Sequence, residues 1–561
     1  MTGPGYDAVV IGSGAGGGAV AMALCQQKQR VLVLEAGPSY DPLSDYRLAM
    51  NTWEQEGFPY KAKSEGRQTF APLQPLEKHW EDLRSWNRAK GKTNKGDRRK
   101  LHPHGYSHVR GVGGSTLHFS GEAHRLHPQA MQMRSRFGVA ADWPFDYAEL
   151  EPYYTRVDWE IGLSGAPGPD DSFRSRPFPV PPFPIKSSGL LMEKGARAMG
   201  FSVQPEPHAI LSQPLNGRPA CINCGFCMGY GCEANAKSST LAAMVPAAID
   251  SGHCEIRPEC AVYEITTNAS GRVSEVAYID PEVNQSAQKA REVVLSANGD
   301  ETQRLLLNWA NSLFPDGLAN SSGFVGRNLM YNSHSFVRMV FERQLNDFKG
   351  VQVSRIIHHF YDSDPQRGFY GGGGIDARPW TAATPLEFAV NVTRPDGPTW
   401  GAQYKAHLEH DFSRTMYLVC SGTSLAQDRN NITIDPTHKD AWGRPSLRLT
   451  YRDHDDDMAL VTFLQDRALE VADAAGAMHT WPNPIHHQNN GAHLLGTCRM
   501  GDDPATSVVD RFHRSHDIPN LFICDGSSFV TSGRGQPTMT IMALAFRAAE
   551  HMMAAARANE I

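Results

Sequence analysis

The sequence contains no stretch approaching twenty uninterrupted apolar residues, so it predicts no membrane-spanning helix. Its N-terminus runs MTGPG directly into an apolar strand without the basic and apolar regions of a signal peptide, and no export signal of its own is expected. Excess charge of one sign is also missing. The 54 Lys and Arg against 60 Asp and Glu leave a net charge of −6, which gives no global bias towards nucleic acid. No internal repeat or low-complexity tract interrupts the chain. Cysteine is sparse, and Cys25, Cys254, Cys260, Cys420, Cys498 and Cys524 are scattered singly, unlike the framework of a small disulfide-stapled secreted domain. What remains is a chain of 561 residues, 40% apolar and 20% charged. That length exceeds what one hydrophobic core organises, and two domains with small-molecule chemistry are expected.

The other four of the ten cysteines fall within twelve residues, CINCGFCMGYGC, from Cys221 to Cys232. Cys221, Cys224, Cys227 and Cys232 follow C-x2-C-x2-C-x4-C, whose first three members have the close spacing of a loop wrapped around an iron–sulfur cluster. Structural zinc more often uses two C-x2-C pairs separated by a longer knuckle. Zinc, or reduced thiols without metal, are the alternatives. Glycines at 225, 229 and 231 let the backbone turn around a compact core.

The N-terminal segment YDAVVIGSGAGGGAVAMALCQQKQRVLVLEAG carries a complete dinucleotide fingerprint. A buried strand from Asp7 to Ile11 leads into Gly12, Gly14 and Gly17 at G-x-G-x-x-G spacing, which allows a tight turn, a close approach to pyrophosphate and close helix packing. The helix N-terminus, beginning near Ala15, then offers free N–H groups and the positive end of its dipole to phosphate. A second strand, Arg30 to Leu34, ends at Glu35, whose carboxylate suits ribose hydroxyls and disfavours a 2′-phosphate. FAD and NAD both fit this fingerprint.

Three further stretches, HVRGVGGSTLHFSG, AHLLGTCRMG and IPNLFICDGSSFVTSGRGQPTMTIMALAFRAAEHM, together with the fingerprint, resemble the glucose-methanol-choline (GMC) family of FAD-dependent oxidoreductases over residues 6 to 553. The resemblance implies an α/β fold: a Rossmann-like FAD domain built from discontinuous segments, plus a substrate domain with a mainly antiparallel sheet that roofs the isoalloxazine ring. On this chain the FAD domain takes residues 1–45, 105–165, 215–335 and 485–561, with the cysteine segment inside it. Residues 46–104, 166–214 and 336–484 form the substrate domain and insertions. The implied cofactor contacts are Gly12, Gly14, Ala15, Gly17 and Glu35; Arg110, Gly113, Gly114, Ser115 and His118; and Asp525, Gly526, Gln536 and Thr538. His118 stands where some members tether flavin covalently and others only contact it.

Catalysis in this resemblance rests on a histidine beside the flavin, matched here by His493, whose pKa range suits it to accept the alcohol proton. The second catalytic position, usually His or Asn, is Gln536 here, which can orient the substrate oxygen through its N–H group and cannot take a proton. The cysteine segment CGFCMGYGCEANAKSST looks like that of the branch containing gluconate, fructose, sorbitol and glucoside dehydrogenase flavoprotein subunits. That branch implies a [3Fe-4S] centre in preference to [4Fe-4S], a small subunit carrying the export signal, and a cytochrome acceptor. The chain is therefore expected in the cytoplasm, or in the periplasm by co-export. An oxygen-using oxidase with zinc or bare thiols, and a noncatalytic electron-transfer flavoprotein, are the competing readings.

The remaining chain is less explicit. Residues 50 to 100 read as an insertion ending in the basic run SWNRAKGKTNKGDRRK, and the Pro-rich stretch over residues 165–184 as an extended crossing between domains. From Phe336 to Tyr451, short alternating runs such as FVRMVFE and TMYLVCS predict antiparallel strands with one buried face. Tyr361, Trp380, Tyr404 and His407 are candidate pocket residues on aromatic and polar character alone.

Overall fold

The computed structural model describes residues 5–46, 105–106, 108–345, 347, 349–379, 388–389, 392, 394–439, 444–487, 490–491 and 493–558. The insertion over residues 50–100 and Trp380 lie outside them.

The N-terminal fingerprint forms the centre of a seven-stranded mixed sheet. Tyr6–Ile11 runs parallel to Val31–Leu34 on one side and to the long strand Gln285–Leu295 on the other. Cys254–Arg257 extends the parallel edge beyond Val31–Leu34, and Leu521–Ile523 pairs parallel with the end of the long strand. The beginning of that long strand turns outward to pair antiparallel with Val273–Ile279, which pairs with Ala261–Thr267. Val9, Val10, Leu32, Val293, Val294 and Phe522 are fully buried, as continuous apolar runs in a doubly covered sheet must be.

Helix Ala15–Gln26 is apolar all round and buried from Gly16 to Cys25, between helices Thr240–Asp250 and Thr538–Arg557. The C-terminal helix starts at Thr538, directly after Pro537. Phe522, Phe529 and Phe546 fill this core, and truncating any one to Ala costs about 3–5 kcal/mol.

A second sheet has six antiparallel strands in the order His479–Pro482, Ser333–Val340, Thr415–Gly422, Gly373–Pro379, Arg355–Ile357 and Gln204–Pro205. Alternation decides its two faces. Val337, Met339, Ile375, Ala377, Leu418 and Cys420 point to a core closed by helix Asp455–Ala475. The opposite parity, with cross-strand partners His334 and Ser421, Phe336 and Val419, and Tyr417 with Arg378, faces the first sheet. Among the described residues, no helix is long and apolar enough to cross a membrane.

Candidate active site

A cavity of about 850 Å³ runs from the tip of the first sheet to the polar face of the second. Gly12, Gly14, Ala15 and Glu35 line one end, and His334, Arg378, Tyr417, His493 and Gln536 line the other. Its volume lies towards the top of the range for ligand and cofactor sites, roughly 300–1,000 Å³.

At the nucleotide end the glycines have separate duties. A Cβ on Gly17 would fall on the Gly12 carbonyl and one on Gly16 on the Cys524 carbonyl, so these two seat the helix against its own loop and the C-terminal strand. Gly16 was not among the expected positions because the motif leaves it open. A Cβ on Gly14 would meet only Gly114 Cα, at 3.8 Å, and the residue borders the cavity. Nothing in the protein requires Gly there, whereas an occupant against the backbone would. Gly14 caps the helix without a side-chain hydrogen bond, which leaves the first-turn N–H groups for an anion.

Glu35 is buried and fully engaged. Its Oε2 accepts from Ser13 N and Oγ at 3.0 and 2.7 Å, and its Oε1 from Gly37 N and Gly111 N at 3.0 and 3.3 Å. The carboxylate therefore ties the two glycine-rich loops together as well as bordering the cavity. Burial raises its pKa against the pull of those bonds. Ser13 Oγ accepts from Gly113 N at 2.9 Å, so Gly113 fixes the second loop from outside the cavity wall, while Arg110, Gly114, Ser115 and His118 form the wall itself. Asp525 accepts from Thr302 Oγ1 at 2.6 Å and Ser527 N at 2.9 Å. Asp525, Gly526, Gln536 and Thr538 complete the wall, with Pro537 leading into the last helix without a side-chain cap. Two uncapped helix starts and a glycine facing open space fit a dinucleotide.

At the other end, His493 Nδ1 lies 2.8 Å from Asn332 Oδ1. Asn332 Nδ2 donates to Gly533 O at 2.9 Å and Gly422 O at 3.1 Å, so its amide cannot be turned over without losing both bonds. Oδ1 must then accept, the proton sits on His493 Nδ1, and Nε2 is left as the acceptor. Burial and the nearby Arg534 guanidinium pull the His493 pKa down to about 4. The ring is a neutral base at physiological pH. His334, on the sheet face, has its ring centroid 6.2 Å from that of His493 and its own pKa pulled down to about 3 by burial and by His493.

Gln536 is turned differently from expectation. Its Nε2 donates to Glu122 Oε2 at 2.7 Å, and Arg378 Nη2 donates to the same oxygen at 2.8 Å. The amide N–H expected for substrate thus serves Glu122, and Gln536 Oε1 is left without a partner. Burial lifts the Glu122 pKa to about 7, against the attraction of Arg378. Behind this layer Arg534, wholly buried, donates to His358 Nε2 at 3.0 Å and approaches His124 Nε2 at 3.1 Å, with Asp376 Oδ2 at 3.7 Å. Glu122, His124 and Glu206 offer ligand atoms within 4.8 Å of one another, but the two guanidinium groups already supply the cations there.

Sequence reasoning missed Asn332, His334, Glu122, Arg378 and Arg534. The alternation that predicted strands does put His334 and Phe336 on the face opposite Val337 and Met339. Glu122 and Arg534 left no such signal. Of the candidate pocket residues, Tyr361 donates to Arg125 O, Tyr404 to Ala389 O, and His407 pairs with Asp411 at 3.0 Å. None of the three lines the cavity.

The cysteine loop abuts the same cavity. Met228 and Gly229 are part of its wall, and Gly229 N donates to His118 O at 2.8 Å. Cys227 is buried and Cys221, Cys224 and Cys232 half-buried. Burial, and the charge of the neighbouring thiols, push the Cys221 pKa up to about 11 and that of Cys227 further still. Asn223 N and Lys237 N point at Cys221 and Cys232 Sγ from 3.4 and 3.5 Å. Lys186, Lys237 and Arg218 bring buried positive charge beside the thiols. Among the described residues no three of the sulfurs lie within 4.8 Å of one another.

Family profiles described as GMC oxidoreductase match residues 104–333 and 426–545. A 2-methyl-1,2-propanediol dehydrogenase of Mycolicibacterium austroafricanum is 32% identical, covering 97% of this chain and 95% of its own length. The fructose dehydrogenase large subunit of Gluconobacter japonicus is 29% identical, over 98% of this chain and 97% of its own. Among solved structures, formate oxidase of Aspergillus oryzae RIB40, in a study of its FAD modification, superposes with a TM-score of 0.64 at 13% identity, covering 99% of each chain.

Proposed function

This chain belongs to the GMC oxidoreductases, FAD-dependent enzymes of alcohol and sugar CH–OH donors, and on that premise we propose that it is a dehydrogenase for a sugar, polyol, glycoside or sugar acid whose electrons leave through an iron–sulfur centre in the Cys221–Cys232 loop. FAD in the cavity supplies the hydride acceptor. Gly12, Gly14, Glu35, Ser115, Asp525 and Thr538 would hold it, and His118 would contact it from the side of the cysteine loop.

His493 does the proton chemistry. Asn332 holds Nδ1–H, so Nε2 faces the cavity as acceptor and takes the hydroxyl proton as the carbinol hydride departs. Burial, helped by the Arg534 charge, keeps the ring neutral until that moment. Gln536 and Glu122 orient the substrate, and the buried sheet excludes water from the reacting face.

The observation that carries the dehydrogenase reading over an oxidase is the shared wall: Met228 and Gly229, between Cys227 and Cys232, border the cavity that His493 borders. Cys227 directly precedes Met228 on that wall, so a centre held in this loop would give electrons a route that does not need oxygen. Cys227 and Cys232 would be ligands, with Cys221, Cys224 or both completing a [3Fe-4S] or [4Fe-4S] centre. The centre would pass single electrons to a cytochrome or quinone-linked partner. A small subunit carrying the export signal, and a periplasmic location, belong to the same proposal.

The test is spectroscopic and kinetic. Purified holoenzyme should show flavin bands over broad iron–sulfur absorption, contain acid-labile sulfide, and reduce dyes with polyols while consuming little oxygen. One zinc per chain without sulfide, or oxygen uptake matching dye reduction, would retire the cluster in favour of an oxidase.

A further inference from the structure

Two acceptors on the cavity wall have no donor in the protein. Glu122 is 1% exposed, its Oε2 takes both Gln536 Nε2 and Arg378 Nη2, and its Oε1 is buried without a partner. Because a carboxylate only accepts, the amide nitrogen of Gln536 must face it, and the amide oxygen is turned away, also buried and unpartnered. Both residues line the cavity. The backbone holds this arrangement at some cost: Gln536 has φ +44°, a left-handed conformation unusual for a side chain with a Cβ.

The acceptors also sit beside the base. Gly535, next to Gln536, lies against the base: a Cβ there would touch His493 Cε1 at 3.8 Å and Asn332 Cγ at 3.9 Å. A buried acceptor without a donor keeps its desolvation penalty, so this wall is unfavourable until something in the cavity donates to it. The reacting hydroxyl gives its proton to His493 Nε2. Another hydroxyl on the substrate can supply the second donor. Arg378 and Arg534 oppose a cation at this point, so a neutral hydroxyl suits it better than an ammonium group.

Resting on the dehydrogenase reading above, we infer that Glu122 and Gln536 form a subsite for a second hydroxyl close to the one oxidised, and that this subsite makes the enzyme select diols and polyols over monoalcohols. Arg378 and the strained Gln536 backbone act as positioning elements that present the two oxygens together.

Turnover and binding test it separately, at pH 8, above the Glu122 pKa of about 7, with Arg378, Arg534 and Asp376 as charged neighbours and Glu206, whose pKa burial raises well above the usual carboxylate range, as a titratable one. In holoenzyme, kcat/KM for propane-1,2-diol should exceed that for propan-1-ol by at least tenfold, as expected when buried acceptors go unpaired with the poorer substrate. Glu122→Gln lets the neighbouring amide turn over and present donors, and Gln536→Leu removes one acceptor without touching the Arg378 ion pair. Each should bring the ratio close to one, with retained flavin and a melting curve confirming the fold. A wild-type ratio near one, or a ratio unchanged in both variants, overturns the subsite. The second measurement uses alcohols that cannot be oxidised: 2,3-dimethylbutane-2,3-diol should bind holoenzyme at least tenfold more tightly than 2,3-dimethylbutan-2-ol. If no alcohol is turned over but the diol still binds preferentially, the activity reading fails and the subsite stands. Equal binding of the two sinks the subsite whatever the turnover.

Discussion

Replacing Asn332 isolates what the tautomer of His493 contributes. Asn332→Leu keeps the volume roughly constant but removes the Oδ1 that accepts the 2.8 Å bond from Nδ1–H, and strips donors from the Gly422 and Gly533 carbonyls. The imidazole is then free to move its proton to Nε2, the tautomer that cannot accept from substrate. One such bond contributes about 1–1.5 kcal/mol, so anaerobic flavin reduction should slow by roughly tenfold, less than removal of the base itself. Asn332→Asp is the informative companion. Wild-type kcat/KM should be flat through neutrality and fall only as pH drops through the His493 pKa, near 4, since the neutral ring is the active form. A carboxylate against Nδ1–H stabilises the imidazolium, raises that pKa, and should move the acid limb to higher pH. Stopped-flow bleaching of bound flavin across pH 4 to 8, as approximate limits set by the usual His range, reads both effects. An unchanged rate in Asn332→Leu together with an unmoved acid limb in Asn332→Asp would refute the tautomer argument.

Three further outcomes follow from the same geometry. His493→Ala should retain flavin yet slow its anaerobic reduction by about two to four orders of magnitude; an unchanged rate removes this residue from the mechanism. Gly14→Leu should fold but purify without FAD, whereas Gly16→Ala should lower the melting temperature of even the apoprotein because its Cβ meets the Cys524 carbonyl; yellow, stoichiometric Gly14→Leu protein would overturn the nucleotide placement. Cys227→Ser should leave substrate-driven flavin bleaching and small-dye reduction largely intact while turnover with a cytochrome acceptor collapses, and equal loss of both activities would mean the loop is only structural.

Much of the cofactor half could be read along the chain because its requirements are local. A strand, a tight glycine turn and a helix start are consecutive, so Tyr6–Ile11, Gly12, Gly14 and Ala15–Gln26 follow each other in sequence as they do in space. The alternation of FVRMVFE and TMYLVCS likewise marked strands of the second sheet, since period two is a property of a single strand. His493 was found through its motif, and the fold placed it on the cavity. Tyr361, Tyr404 and His407, chosen for side-chain character without a pattern, were placed elsewhere.

The sequence by itself determined the nucleotide cradle, the strand parity and the clustering of thiols, because each depends on neighbours a few residues apart. Tertiary structure alone decided the chemistry of the reacting end. Asn332 reaches His493 across 161 positions, Glu122 reaches Gln536 across 414, and Arg534 approaches His124 across 410. These groups interact only after two sheets have closed on one another and removed water from between them. Burial then converts ordinary side chains into a neutral base, a near-neutral carboxyl and an amide with a fixed face, and no spacing along the chain encodes the dielectric that does this.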